Sequence, residues 1–220
     1  MKPIIAVNFK TYKESTGEQG LILARELERA SKELEVSVIL VVQPTDLYRI
    51  SKEVSLPVYS EHVDPISYGA HTGSILAESL KENNAVGVLL NHSEDRFRID
   101  KLEESIKRSK EIGLKTMVCA TDSLAAKAVA TFNPDFVAVE PPELIGGDIS
   151  VSTSNPKIVR DSVANVKKVN PNIIVLCGAG IKTNNDFRKA LQLGASGVLI
   201  ASGIVLSKDP YTALKELGEV

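Results

Sequence analysis

The sequence predicts an α/β architecture of eight strand–helix units closed as a (β/α)8 barrel. Three observations carry that reading. Eight short apolar runs rich in Val and Ile recur along the chain. Each is followed by a stretch with apolar residues at helical spacing. No Gly/Ser-rich linker or low-complexity tract divides the 220 residues, so a single domain over 1–220 is expected.

The first run, IIAVNF (4–9), is almost continuously apolar, as expected of a parallel strand covered on both faces. The helix after it shows Leu23, Leu27, Ala30 and Leu34 on one stripe, with Arg25, Glu26, Arg29 and Lys32 on the others. SVILVVQ (37–43) and PVYSE (57–61) are the next strands, with helices expected over 44–54 and 73–83. VGVLLN (86–91) precedes the charge-rich helix at 99–112, whose Lys, Glu and Arg read as a solvated outer face. KTMVCA (115–120) leads into a helix at 122–130, and DFVAVE (135–140) into one at 154–169. NIIVLC (172–177) and SGVLIA (196–201) complete the strands, with helices at 184–193 and 209–217. Ser123, Ser154 and Asp209 stand near helix starts, and Gly113 and Gly194 near ends. An open dinucleotide-binding sheet would need a Gly-rich phosphate turn after its first strand, where this chain has NFKTYKES. At about 27 residues per unit the barrel is compact against the ~250 residues typical of the class.

Composition narrows the function classes. The chain is 43% hydrophobic and 25% charged with a net charge of −2, which offers no basic excess for nucleic acid or a membrane surface. The opening MKPIIAVNFK has too short an apolar segment for a signal peptide, and no run reaches the ~18 apolar residues of a membrane span. Cys119 and Cys177 lie inside strand-like runs, which suggests buried free thiols in a reducing cytoplasm. His62 and His71 are not at metal-ligand spacing with His92 or each other, so neither a metal nor a cofactor is expected.

In such a barrel the active site sits where the strands end. The first strand ends at Asn8 and Lys10, the fourth at His92, and the sixth at Glu140. The seventh and eighth end in CGAGI and LIASG. Alone, each polar residue has a plainer reading as a turn former, a solvated charge or a structural histidine. Gly178 and Gly180 read first as turn residues, and more sharply as places where backbone approaches phosphate. Together the amide, ammonium, imidazole and carboxylate suit proton transfer on a small phosphorylated or otherwise anionic substrate.

VNFKTY (7–12), NHSED (91–95), VEPPELIGG (139–147) and GVLIASG (197–203) occur in the order found in triosephosphate isomerases, and the chain resembles that family over nearly its whole length. The compact length and the EPPELIG and CGAGI segments are similar to the archaeal branch. The resemblance implies a TIM barrel with Glu140 as base, His92 as electrophile, and Asn8 and Lys10 beside the substrate carbonyl and hydroxyl. Glu94 matches the second glutamate of the histidine motif. Ile145 and Gly146 match the tip of a closing loop, and Gly180, Ala201 and Ser202 the other turns that contact phosphate. The substrate implied is a triose phosphate. YGAHTGSI (68–75) is similar to the loop that enters a neighbouring subunit beside its Asn8 and Lys10, and the compact branch implies a homotetramer built from two dimers. A thin outer ring near the fifth strand, leaving barrel side chains under-covered in a monomer, is a second reason to expect assembly.

Three positions depart from the family pattern: Gly147-Asp148 after Ile-Gly, Asp95-Arg96 where an arginine commonly follows the His-Ser-Glu core, and Ala201-Ser202 where relatives have Gly-Gly. They put in question the closure of the loop and a charge pairing near Glu94. Other barrel enzymes of sugar phosphates, and a barrel retained only for binding, are the rival readings. Neither calls for the full set of Asn8, Lys10, His92 and Glu140.

Overall fold

A computed structural model describes residues 2–141 and 151–219. Eight parallel strands close into a barrel in sequence order, with β1 (Ile4–Asn8) hydrogen-bonded to both β2 (Ser37–Val42) and β8 (Gly197–Ile200). Between them run β3 (Val58–Ser60), β4 (Gly87–Leu90), β5 (Lys115–Ala120), β6 (Phe136–Val139) and β7 (Ile174–Gly178). The outer ring comprises α1 (Gly17–Ser31), α2 (Leu47–Ser51), α3 (Ala77–Glu82), α4 (Ile99–Glu111), α5 (Ser123–Ala130), α6 (Val151–Ser154), α7 (Pro156–Val169), α8 (Asn184–Gln192), α9 (Ser202–Val205) and α10 (Pro210–Gly218).

Period-two alternation sorts the strand residues into two cores. Ile4 and Ala6, Ile39 and Val41, Tyr59, Leu89, Met117 and Cys119, Phe136 and Ala138, Leu176 and Leu199 form the cluster inside the barrel. Their neighbours Ile5, Val7, Leu40, Val88, Val118, Val137, Val175 and Val198 face the helices. Continuing the inward rows by two residues reaches Asn8, Glu61, Glu140 and Gly178. The alternation therefore delivers one amide and two carboxyl side chains to the C-terminal mouth.

Two expected helices are shorter than the sequence suggests. The stretch 44–54 contributes only α2, and 73–83 only α3. Ile75 is instead held against Asp64, whose backbone N–H donates to the Ile75 carbonyl (3.0 Å) and whose Oδ2 accepts the Ile75 N–H (2.8 Å). This neck closes a loop whose residues 67–74 are exposed, Tyr68 among them. Caps also shift by one residue. Asp122 caps α5 by accepting from Leu124 and Ala125 N–H, and Asn155 caps α7 ahead of Pro156, while Asp209 caps α10 as expected. Asp and Asn outcompete the neighbouring serines because each is followed by residues already in helical geometry. A 3₁₀ turn at Lys13–Ser15 and the single-turn α6 and α9 are too short to leave a periodic signature.

The outer ring near β5 is short, as α5 has eight residues, yet it does not leave the barrel uncovered. Val118 and Ala120, which face the helices, are buried in the single chain, where α5 packs closely on α7, and Met117 and Cys119 are buried inside the barrel. Under-coverage therefore gives no reason for assembly. Both cysteines are buried and free. Among the described residues no helix is long and apolar enough to cross a membrane.

Candidate active site

Asn8 ends β1 as a buried side chain, and its Oδ1 accepts the backbone N–H of Lys10 at 3.2 Å. That bond supports a left-handed backbone at Lys10 (φ 52), which turns the lysine back over the mouth. Lys10 Nζ then reaches Glu94 Oε1 at 2.6 Å across the barrel. With the Glu94 side chain 58% exposed, the pair adds at most about 1 kcal/mol to stability. Its effect is to aim the ammonium.

After β4 the chain turns sharply at Asn91 (φ 60). The Asn91 side chain donates to the Cys119 carbonyl (3.0 Å) and accepts the Phe97 N–H (3.0 Å), so it pins both ends of the segment carrying His92 and Glu94. Glu94 donates its backbone N–H to His92 Nδ1 at 3.3 Å. Glu94 Oε2 also lies 3.5 Å from Nδ1, and the shorter N–H contact favours a lone pair there, with the proton of a neutral imidazole on Nε2. Nε2 faces Glu140 Oε2 at 3.6 Å.

Glu140 follows β6, and its N–H still donates to the Ala120 carbonyl (2.8 Å). Its side chain is buried, and Oε2 has no hydrogen-bond partner among the described residues. A buried, unpartnered carboxylate oxygen is costly to maintain and marks a group kept ready for a reaction partner. Room for it comes from β7. A Cβ at Gly178 would lie 2.3 Å from Glu140 Cγ and 2.8 Å from Oε1, so only glycine admits the side chain. Gly178 thus makes room for the carboxylate. The Cys119 thiol is pushed well up by burial first and then by the Glu140 charge, which keeps it protonated beside the carboxylate.

One cavity at the mouth is lined by Asn8, Lys10, His92 and Glu140 on one side and by Gly180, Ala201 and Ser202 on the other. Gly180 has φ +69, a conformation that suits glycine, and Ala179 before it shares that region at φ 68. Lys182 and Tyr12 also line the cavity, which the strand ends alone did not indicate. Glu94 lies in an adjoining cavity shared with Asn8, Lys10 and His92. Ile145, Gly146 and the Gly147-Asp148 departure lie outside the described residues. Arg96 donates to the Asn91 carbonyl (3.2 Å), and Asp95 faces His62 Nδ1 (3.2 Å), so the departure after Glu94 redirects both charges away from it. Among the described residues no group of three or more His, Cys, Asp or Glu could hold a metal ion.

The family model described as triosephosphate isomerase matches residues 3–217. The chain belongs to the triosephosphate isomerase family. It is 49% identical to a triosephosphate isomerase of Methanobacterium bryantii over 98% of this chain and 95% of that one. It is likewise 49% identical to that of Methanothermus fervidus, over 98% and 97% of the two chains. The triosephosphate isomerase of Methanocaldococcus jannaschii is 46% identical over 97% and 98%. These relatives match in length as well as sequence, so the compact barrel is a property shared with archaeal triosephosphate isomerases.

Proposed function

We propose that the chain interconverts dihydroxyacetone phosphate and D-glyceraldehyde 3-phosphate by proton transfer through an enediolate, in glycolysis and gluconeogenesis. The observation that carries this reading is the buried Glu140 carboxylate facing His92 Nε2 at 3.6 Å, beside Lys10, in a chain of this family. Glu140 removes a proton from the carbon next to the substrate carbonyl. His92, neutral with its proton on Nε2, donates to the carbonyl oxygen and moves protons between the two oxygens of the enediolate. This division of roles is the established one for the triosephosphate isomerase family. Lys10 stabilises the developing negative charge in a site screened from water, and Asn8 and Glu94 hold it there. Glu140 then returns the proton to the neighbouring carbon.

Phosphate is met by backbone amides of the turn at Gly180 and of Ala201–Ser202, and the resemblance adds Ile145 and Gly146 to its contacts. Exclusion of water matters there because an enediolate phosphate open to water can eliminate its phosphate. A coupled assay with D-glyceraldehyde 3-phosphate and then dihydroxyacetone phosphate tests the reading. Turnover in both directions supports it, and absence of both refutes it.

The catalytic unit on this proposal is one domain over 1–220, active in the cytoplasm as a homotetramer of paired dimers. What supports this reading is that residues 67–74 are exposed, on a neck held by Asp64, Ile75 and the Arg108 bond to the Ile66 carbonyl (3.2 Å). Docked beside the partner subunit's first strand end, Thr72 would support Lys10. Light scattering should give about four times the chain mass, and a fully active monomer would overturn the assembly.

A further inference from the structure

Strand parity puts a second carboxyl in the mouth. Glu61 follows inward-facing Tyr59 by two residues, as Glu140 follows Ala138. Its N–H donates to the Val42 carbonyl (2.9 Å), which continues the β2–β3 ladder and fixes the direction of its side chain. Glu61 Oε1 is buried without a hydrogen-bond partner among the described residues, a condition it shares with Glu140 Oε2. It lines the cavity adjoining the substrate cavity, where Lys10 and Glu94 also lie.

Charge decides what such a group can do there. Lys10 already has one carboxylate, Glu94, at 2.6 Å. A second carboxylate facing the same ammonium would make the cluster net negative beside a dianionic phosphate and a developing enediolate. A neutral carboxylic acid would leave the ammonium balanced and directed at the substrate oxygens.

We propose that Glu61 is a positioning residue for Lys10, supporting the lysine while its carboxyl is uncharged and weakening catalysis when it ionises. This rests on the isomerase reading above and deepens it. Burial above all, with the charges of Glu94 and Asp46, pushes the Glu61 carboxyl up to about 7 against the pull of the Lys10 amide and ammonium. The other titratable groups around this cavity are His62, His92 and Asp95. They are common to wild type and variant, so a ratio between the two isolates Glu61.

The test is kcat/KM for D-glyceraldehyde 3-phosphate from pH 5.5 to 9 in wild type, Glu61→Gln and Glu61→Asp, with carboxyl ¹³C NMR of glutamate-labelled protein. The ratio of Glu61→Gln to wild type should rise severalfold between pH 6 and pH 8.5, because only the wild type acquires the extra charge. Glu61→Asp, which still titrates, should show a smaller rise. A glutamate resonance titrating near pH 7 should be present in wild type and missing from Glu61→Gln. A ratio independent of pH, with wild type active, would overturn this inference and leave the isomerase reading standing. A wild type without isomerase activity would overturn both.

Discussion

Replacing Gly178 with alanine adds one methyl group to the barrel interior and directs it at Glu140. The new Cβ would lie 2.3 Å from Glu140 Cγ, 2.8 Å from Oε1 and 2.9 Å from Cδ. Carbon atoms in comfortable contact sit about 3.5–4.0 Å apart, so the carboxylate must retreat by more than about 1 Å. The backbone offers no easy relief, since Gly178 is in register with Leu199 and its strand is paired on both sides. Nor does alanine strain the backbone there, because Gly178 is not among the glycines with positive φ. The methyl group therefore acts on Glu140. Overpacking of this kind costs about 1–3 kcal/mol of stability, which a folded barrel can absorb. A 1 Å displacement of a reacting group costs about 10²-fold in rate, or about 2.7 kcal/mol in barrier height. Gly178→Ala should thus melt as a cooperative, modestly destabilised protein with kcat lowered about a hundredfold. Coupled kinetics and thermal unfolding on the same preparation read both quantities. A folded Gly178→Ala protein with kcat within about threefold of wild type would refute the claim that β7 shapes the space for the base.

Other outcomes follow from the same geometry. Glu140→Gln should fold normally and lose on the order of 10²–10⁴-fold in kcat, since an amide cannot accept the proton; near-native turnover would remove Glu140 from the role of base. His92→Gln should also slow turnover while sparing the thermal midpoint, and an unchanged kcat would exclude a proton shuttle at that position. Glu61 makes a stability claim as well. Its folded carboxyl binds a proton more tightly than an unfolded one, so that contribution is present below the ordinary value of 4.5 and is lost as pH rises through about 7. Urea unfolding should show wild type losing on the order of 3 kcal/mol relative to Glu61→Gln between pH 4.5 and pH 8.5. A difference that does not change with pH would contradict the buried, neutral carboxyl.

How much of this was legible depends on which physical signal each feature leaves in the chain. The eight strands were readable because a parallel barrel buries both strand faces, giving apolar runs bounded by polar ends. The same double burial hides parity: in IIAVNF nothing marks Ile4 and Ala6 as interior and Ile5 and Val7 as exterior. Without parity, Glu61 reads as an ordinary strand-end charge and Gly178 as a turn residue. Nothing in NHSED shows the task of Asn91, since its two clamping bonds to Cys119 and Phe97 are set by tertiary structure. The helix at 73–83 was overextended because Ile75 fits a helical stripe, whereas its backbone is committed to Asp64. The strand ends did bring Asn8, Lys10, His92, Glu140, Gly180, Ala201 and Ser202 into view, and these line one cavity. They are readable because a polar residue closing an apolar run stands at a place where the fold exposes it to substrate.

The central claim is that Glu140 carries a proton between two adjacent substrate carbons. It is tested most directly by isomerising dihydroxyacetone phosphate in deuterium oxide and locating deuterium in the D-glyceraldehyde 3-phosphate formed by proton NMR. A carboxylate that holds the proton can exchange it with solvent before returning it, so a measurable share of the product should carry deuterium at the carbon that received the proton. Glu140→Gln should slow formation of labelled product by the same factor as turnover. Product formed at the wild-type rate with no solvent deuterium at that carbon, or labelling unaffected by Glu140→Gln, would contradict the account.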